Sequence, residues 1–411
     1  MREVLKNKIQ EILGNKKKET EDIGLVLSGG GARAAYQAGV LDYIADAFPY
    51  AHFPIMKGVS AGAINTGYLA NHPGSLKEAT NVMVDSWKSL SLDHVFKTES
   101  TFDFFRRLIS SRDGDTYEER ITSSMAHQRG LLDPAPLRDF LAQKLKADAE
   151  GRLTGVQENL DSGKLKAFAV TTTNYMTGQT TTFVQGCDIE RWVRPSRVGV
   201  TTQLTIDHIM ASAALPIIFP AVMIDNAWHG DGGVRLMNPL SPAITMGADR
   251  ILVISTRYNR SQAEADSHTI KGYPPAAQII GILMNAIFLD AVDQDADHLE
   301  RINGLIRQIP ERSREGLRPI KLLMIRPSVD IGKLAGKYKP QFSGALRLFT
   351  MGIGSDETKS PDWLSMLLFQ EEYMTDLIDV GYNDAAHQHD KIEEFLEEAN
   401  QERQTYKSAV G

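Results

Sequence analysis

The segment GVSAGAIN (58–65) sets Ser60 between Gly58 and Gly62, the Gly-x-Ser-x-Gly spacing of a serine held on a sharp strand-to-helix turn. Such a turn lifts the hydroxyl above a sheet, where it can attack a carbonyl carbon. The N–H of Ala61 then points at the charge that develops on the carbonyl oxygen. A second glycine run, SGGGARAA (28–35), would leave backbone N–H groups bare at a helix N-terminus, which also suits an oxyanion. Taken alone it fits a dinucleotide pattern through Gly29, Gly31 and Ala34. That pattern demands an acid about 20 residues later, at the end of the next strand. Here the next strand runs into GVSAG instead, and the Gly-Lys-Ser/Thr ending of a P-loop is missing.

A serine nucleophile needs a base. None of the ten histidines sits in a signature that marks it as one, and their scatter forms no metal-ligand motif such as HExxH. In HGDGG (229–233), Asp231 precedes two glycines. A carboxylate in a water-poor site becomes basic enough to take a serine proton directly. Asp-Gly-Gly is equally an ordinary turn. His229 lies two residues earlier, so in a strand its side chain faces the same way as that of Asp231. It reads as a core histidine or as a group that orients the acid.

The elements that must position these residues follow from apolar periodicity. GLVLS (24–28) reads as a strand, ARAAYQAGVLDYIADAF (32–48) as a helix, PIMKGV (54–59) as a second strand and AINTGYLAN (63–71) as the start of a second helix. Strand, loop, helix, strand, turn, helix predicts an α/β fold, a mostly parallel central sheet with helices on both faces. LKAFAVTTTN (165–174) and TTTFV (180–184) read as a hairpin, RILVIST (250–256) as an interior strand and KLLMIRP (321–327) as another.

Residues 87–150 read as a helical insertion over one end of the sheet, where Phe102, Phe104, Phe105 and Leu108 could line an acyl channel or simply pack. The expected organisation is a basic helical segment over 1–22, a catalytic domain over 23–330 and a helical extension over 331–411, with a charged helix at 391–404. The HQHD stretch around His387 and His389 reads as surface.

Composition narrows the class. The chain has 411 residues, 42% hydrophobic and 24% charged, as in a folded protein, and its net charge of −7 argues against a nucleic-acid partner. The single cysteine, Cys187, excludes an internal disulfide and a cysteine zinc cluster. No signal peptide or spanning helix is expected, since ASAALPIIFPAVMI (211–224) is short and broken by prolines, and polar residues interrupt AAQIIGILMNAIFLDAV (276–292). The latter reads as a buried helix. A cytoplasmic location is expected, and Lys16, Lys17 and Lys18 admit a peripheral membrane contact.

SGGGAR, GVSAG, ASAALPIIFP (211–220) and DGG occur in that order across roughly residues 23–256, and together the set resembles the patatin-like phospholipase family. The resemblance implies a three-layer α/β/α fold and a Ser–Asp dyad without histidine, with Ser60 as nucleophile and Asp231 as base. It implies that Gly29, Gly30, Gly31 and Arg33 form the oxyanion loop, that the substrates are lipid acyl esters and that no cofactor or metal is used. Acyl transfer through the same acyl-enzyme, or a non-catalytic lipid- or nucleotide-binding role, are the competing expectations. Ala34 departs from the family's usual glycine after the basic residue; inside a helix that change favours the helix.

Overall fold

In a computed structural model, the structure describes residues 21–97, 130, 132–187, 189–216, 218–266, 276–288, 290–338, 365–397 and 399. The four phenylalanine and leucine positions named in the insertion, and the N-terminal lysines, lie outside them.

Ten described strands form one sheet: β1 (Ile23–Leu27), β2 (Ile55–Val59), β3 (Ala167–Asn174), β4 (Thr180–Gly186), β5 (Val193–Arg194), β6 (Arg197–Thr201), β7 (Val222–Ile224), β8 (Ala227–Asp231), β9 (Arg250–Ile254) and β10 (Lys321–Ile325). The order is β10-β9-β1-β2-β3-β4-β6-β5. From β10 to β3 every pairing is parallel, as the strand-loop-helix spacing requires. Beyond β3 the sheet is mixed: β4 returns antiparallel, β6 runs parallel to β4 and β5 closes the edge antiparallel.

Both sheet faces are covered, which is why β1 and β9 read as unbroken apolar runs. On one face pack α1 (Ala35–Ala47), α2 (Ala61–Asn71) and α3 (Leu76–Ser89), joined at the site end by α4 (Ala135–Lys144) and α5 (Ile206–Ser212). α6 (Ala276–Phe288) is followed by α7 (Asp290–Gln308), whose Val292, Ala296 and Leu299 cover the opposite face. The three-layer α/β/α expectation therefore holds. The stretch expected as one buried helix is divided between α6 and α7, and Ile279, Ile282 and Leu283 of α6 are exposed. Towards the end of α6, Phe288 is buried against Gly233 and Ile287 packs on the same core. Among the described residues no helix is long and apolar enough to cross a membrane.

The C-terminal stretch joins the same core. α8 (Glu371–Ala386) lies on α1, and glycines bring the two backbones together. A Cβ on Gly39 would fall on the Ile378 carbonyl, and one on Gly381 on the Tyr36 carbonyl. Residues 389–397 are again helical, which covers the first half of the charged helix expected over 391–404; residues 398 and 400–404 lie outside the described ones. His387 is exposed, whereas His389 is half-buried, stacked on Phe48 with Nδ1 2.9 Å from the Tyr43 hydroxyl.

Candidate active site

The register of the sheet brings Ser60 and Asp231 together. β2 ends with Val59 opposite Thr171 of β3, and Ser60 leaves the sheet at the next residue. On the same edge of β3 the antiparallel β8 takes over, with Asp231 opposite Thr172. Two segments about 170 residues apart in sequence thus meet on consecutive residues of one strand.

Ser60 adopts φ 54° and ψ −133°, a conformation that a serine holds only where its surroundings impose it. The glycines make that turn possible. A Cβ on Gly62 would lie 2.5 Å from both the Leu27 and Ser28 carbonyl oxygens, and one on Gly58 would lie 2.5 Å from the Ala63 Cα. The Ser60 N–H donates to Ser212 Oγ at 2.9 Å, and the Ser212 hydroxyl donates to the Thr171 carbonyl at 2.7 Å. α2 begins at Ala61, directly behind Ser60.

Asp231 is fully buried, and burial pushes its carboxyl up to about 7, against the Ser60 hydroxyl and the Gly233 N–H that hold it down. Gly233 N–H donates to Oδ1 at 2.8 Å, whereas Oδ2 is buried with no hydrogen-bond partner. The influence of the Ser60 hydroxyl on this carboxyl sets the two groups near each other. The backbone of Asp231 is clamped: its N–H donates to the Ala214 carbonyl at 2.9 Å and its carbonyl accepts from Thr173 Oγ1 at 2.8 Å.

The glycine loop arches beside Ser60. A Cβ on Gly29 would lie 2.9 Å from the Ser60 Cβ. Gly30 has φ 144° and Gly31 φ 56°, and no hydrogen bond among the described residues engages their N–H groups. Arg33 points elsewhere, buried with Nε 2.6 Å from Ser365 Oγ. Below the loop, Gln37 Nε2 donates to the Ser28 carbonyl at 2.9 Å and its Oε1 accepts from Asn65 Nδ2 at 3.0 Å. Asn65 Oδ1 in turn accepts from Trp87 Nε1 at 2.7 Å, which locks α1, α2 and α3 into one buried polar chain.

His229 is buried, its Nδ1 2.9 Å from Thr172 Oγ1 and its ring centroid 5.2 Å from that of Phe183. Burial is the main influence on its pKa and lowers it, against the Asp225 charge, which raises it.

From Ser60 an apolar cavity of about 620 Å³, its open mouth included, runs between α2, α3, α4 and the 366–369 segment. Ile64, Tyr68, Trp87, Phe140, Leu141 and Phe219 form much of its wall, and Gly31, Ala61 and Met366 border its Ser60 end. Ser212 and the 366–369 segment lie outside the candidate residues read from the sequence. Ser212 has a sequence signal, since it stands in the ASAALPIIFP motif, but its role depends on the three-dimensional meeting of α5, β2 and β3.

The doubly covered α/β sheet thus sets a glycine loop, a strained serine turn and a buried acid beside an apolar cavity. The chain belongs to the patatin-like phospholipase family, whose profile matches residues 25–244. Among solved structures it is similar to the human GIVD cytosolic phospholipase A2 in complex with methyl γ-linolenyl fluorophosphonate, at 13% identity and a TM-score of 0.45 over 94% of this chain and 60% of that one. It is also similar to VipD from Legionella pneumophila, at 13% identity and a TM-score of 0.35 over 87% of this chain and 67% of that one. No curated protein sequence matches it.

Proposed function

We propose that the protein is a serine lipid acyl hydrolase of phospholipase A or lysophospholipase type. The observation that carries this reading is the pairing of Ser60 with the buried Asp231 at the end of the apolar cavity. Family membership supports the same class.

In this reading Ser60 Oγ attacks the ester carbonyl carbon and Asp231 accepts its proton. The N–H groups of the 29–31 loop and of Ala61 take the oxyanion of the tetrahedral intermediate. Collapse breaks the C–O bond, the alcohol leaves with the proton held by Asp231, and the acyl group stays on Ser60. Water, deprotonated by Asp231, then attacks the acyl-enzyme and releases a fatty acid. The acyl chain occupies the cavity throughout. No step needs a metal or an organic cofactor. In this reading the catalytic residues lie within 23–330, and the stretch after 331 completes the shared core and the cavity through Met366, Leu367 and Phe369.

The test is hydrolysis of p-nitrophenyl acyl esters of graded length, and of phospholipid, by the wild type, Ser60→Ala and Asp231→Asn. Activity that peaks at one chain length and collapses in both variants supports the dyad. Wild-type turnover by Asp231→Asn would require another base, and an inert wild type would sink the hydrolase reading.

A further inference from the structure

Two hairpins project beyond the end of β3, past the point where Ser60 and Asp231 meet. Asn174 pairs with His229, so Trp228 and the 225–226 turn extend past the strand end, beside the 175–179 turn. These tips carry Tyr175, Met176, Met223 and Trp228, exposed at 44, 66, 45 and 36%. Nearby Met237 is 74% exposed. Large apolar side chains gathered on one projecting face need an apolar medium or a partner to cover them.

The patch is continuous with the site. A Cβ on Gly230 would meet the Tyr175 phenol ring, which places that ring over the residue before Asp231. The Tyr175 pKa is raised, first by burial and then by the Asp231 charge.

Beside the apolar tips lies a basic edge. The 195–196 turn is tied to the 175–179 turn by Gln179 Nε2 on the Pro195 carbonyl at 3.1 Å. Arg194, Arg197 and Arg235 stand here, and among the described residues none of the three makes an ion pair. Arg197 and Arg235 flank a second pocket of about 420 Å³, which Thr180, Ser196 and Asn238 also line. Among the described residues, Asp225 stands in the β7–β8 turn, and Asp295 accepts from the Leu240 N–H at 2.8 Å.

We infer that this face docks on the surface of an anionic phospholipid bilayer, the hairpin tips entering the interface and Arg194, Arg197 and Arg235 holding acidic headgroups. A chain with net charge −7 gains such attraction only where cations are gathered locally. Tyr and Trp side chains favour the boundary between headgroups and acyl chains. The inference builds on the lipid-hydrolase reading, because it places the surface that supplies substrate beside the site, but its test does not depend on turnover.

The full chain is sedimented with sucrose-loaded phosphatidylcholine vesicles, with and without phosphatidylserine, as wild type, Met176→Asp/Met223→Asp and Arg194→Gln/Arg235→Gln. Binding should require phosphatidylserine, weaken about fivefold per arginine removed and fall sharply in the methionine pair. Turnover of a water-soluble short-chain ester should stay at the wild-type level in both variants. If the chain proves inert on esters, an unchanged thermal unfolding midpoint shows that the variants are folded. Equal binding to neutral and anionic vesicles, wild-type binding by both variants, or no vesicle binding at all would overturn the proposal. Competition by inorganic phosphate that abolishes all binding would also overturn it, by reducing the face to a free-anion pocket.

Discussion

The Ser212 hydroxyl accepts a hydrogen bond from the Ser60 N–H at 2.9 Å and donates one to the Thr171 carbonyl at 2.7 Å. One fully buried side chain therefore ties the strained elbow to the strand that also pairs with Asp231. Removing it leaves a buried N–H without a partner, at a cost of about 1–3 kcal/mol, and frees the elbow to relax.

Ser212→Ala should accordingly lower kcat on a soluble ester by about 10- to 100-fold, the scale of a small misplacement of reacting atoms. KM and the pH profile should change little, because neither the cavity nor the Asp231 carboxyl is touched. Steady-state kinetics with a circular-dichroism control checks this. A variant with wild-type kcat would remove Ser212 from the positioning of the elbow.

The parts of this site that were legible in sequence are those encoded within a few residues. The Gly-x-Ser-x-Gly spacing announces an elbow because only glycine fits at 62, against the Leu27 and Ser28 carbonyls, and at 58, against Gly62 and Ala63. The strands β1, β2, β3, β4, β9 and β10 were legible from apolar runs and turn residues. Long-range register was not. β8 is a short strand in a stretch that reads as apolar chain followed by a turn, and only its pairing with Thr172 reveals why Asp231 stands by Ser60. The Gln37–Asn65–Trp87 chain was likewise hidden, since each residue reads as an ordinary helix position. α6 misled in the other direction. Its apolarity suggested burial, whereas Ile279, Ile282 and Leu283 are exposed.

The pH dependence follows from Asp231, whose carboxyl is raised from 3.8 to about 7 with burial as the main cause. A base must be ionised, so kcat/KM should fall as pH drops through about 7 and level off above it. The stability effect has the opposite sense. A carboxyl whose folded pKa is raised costs nothing below about pH 3.8, where it is neutral in both states, and the cost grows as pH rises towards 7. Asp231→Asn keeps an acceptor for the Gly233 N–H and removes the buried charge. It should be nearly inactive yet more stable than the wild type at pH 8, by an amount on the order of a few kcal/mol. Urea unfolding at pH 5 and pH 8 measures this, and a variant less stable at pH 8 would contradict the assignment of the buried charge.

The cavity makes a prediction that separates binding from chemistry. Ile64 lines it one helical turn after Ser60 and is half-buried, so a larger side chain there narrows the passage without touching the elbow glycines. Ile64→Trp should abolish turnover of long-chain p-nitrophenyl esters and retain most of the activity on the acetyl and butyryl esters. The ratio of kcat/KM values between long and short substrates is the readout. An equal loss at every chain length would mean that the acyl group lies elsewhere.

The contact between α1 and α8 tests whether the C-terminal stretch is needed for the fold or merely covers it. Gly39 and Gly381 let each helix rest on the other's backbone, and Met366, Leu367, Leu368, Tyr373, Met374 and Leu377 are buried in the core that the catalytic elements share. A methyl group on Gly39 has no room beside the Ile378 carbonyl, so Gly39→Ala must push the helices apart. Overpacking of this kind costs about 1–3 kcal/mol, read as a lower urea midpoint. A chain ended at residue 330 loses all of that packing and should be recovered as aggregate, with no ester turnover. Because Met366 and Phe369 also line the cavity, Gly39→Ala should lower activity on long-chain esters more than on short ones. Soluble, active protein ending at residue 330 would instead show that the catalytic elements fold without α8.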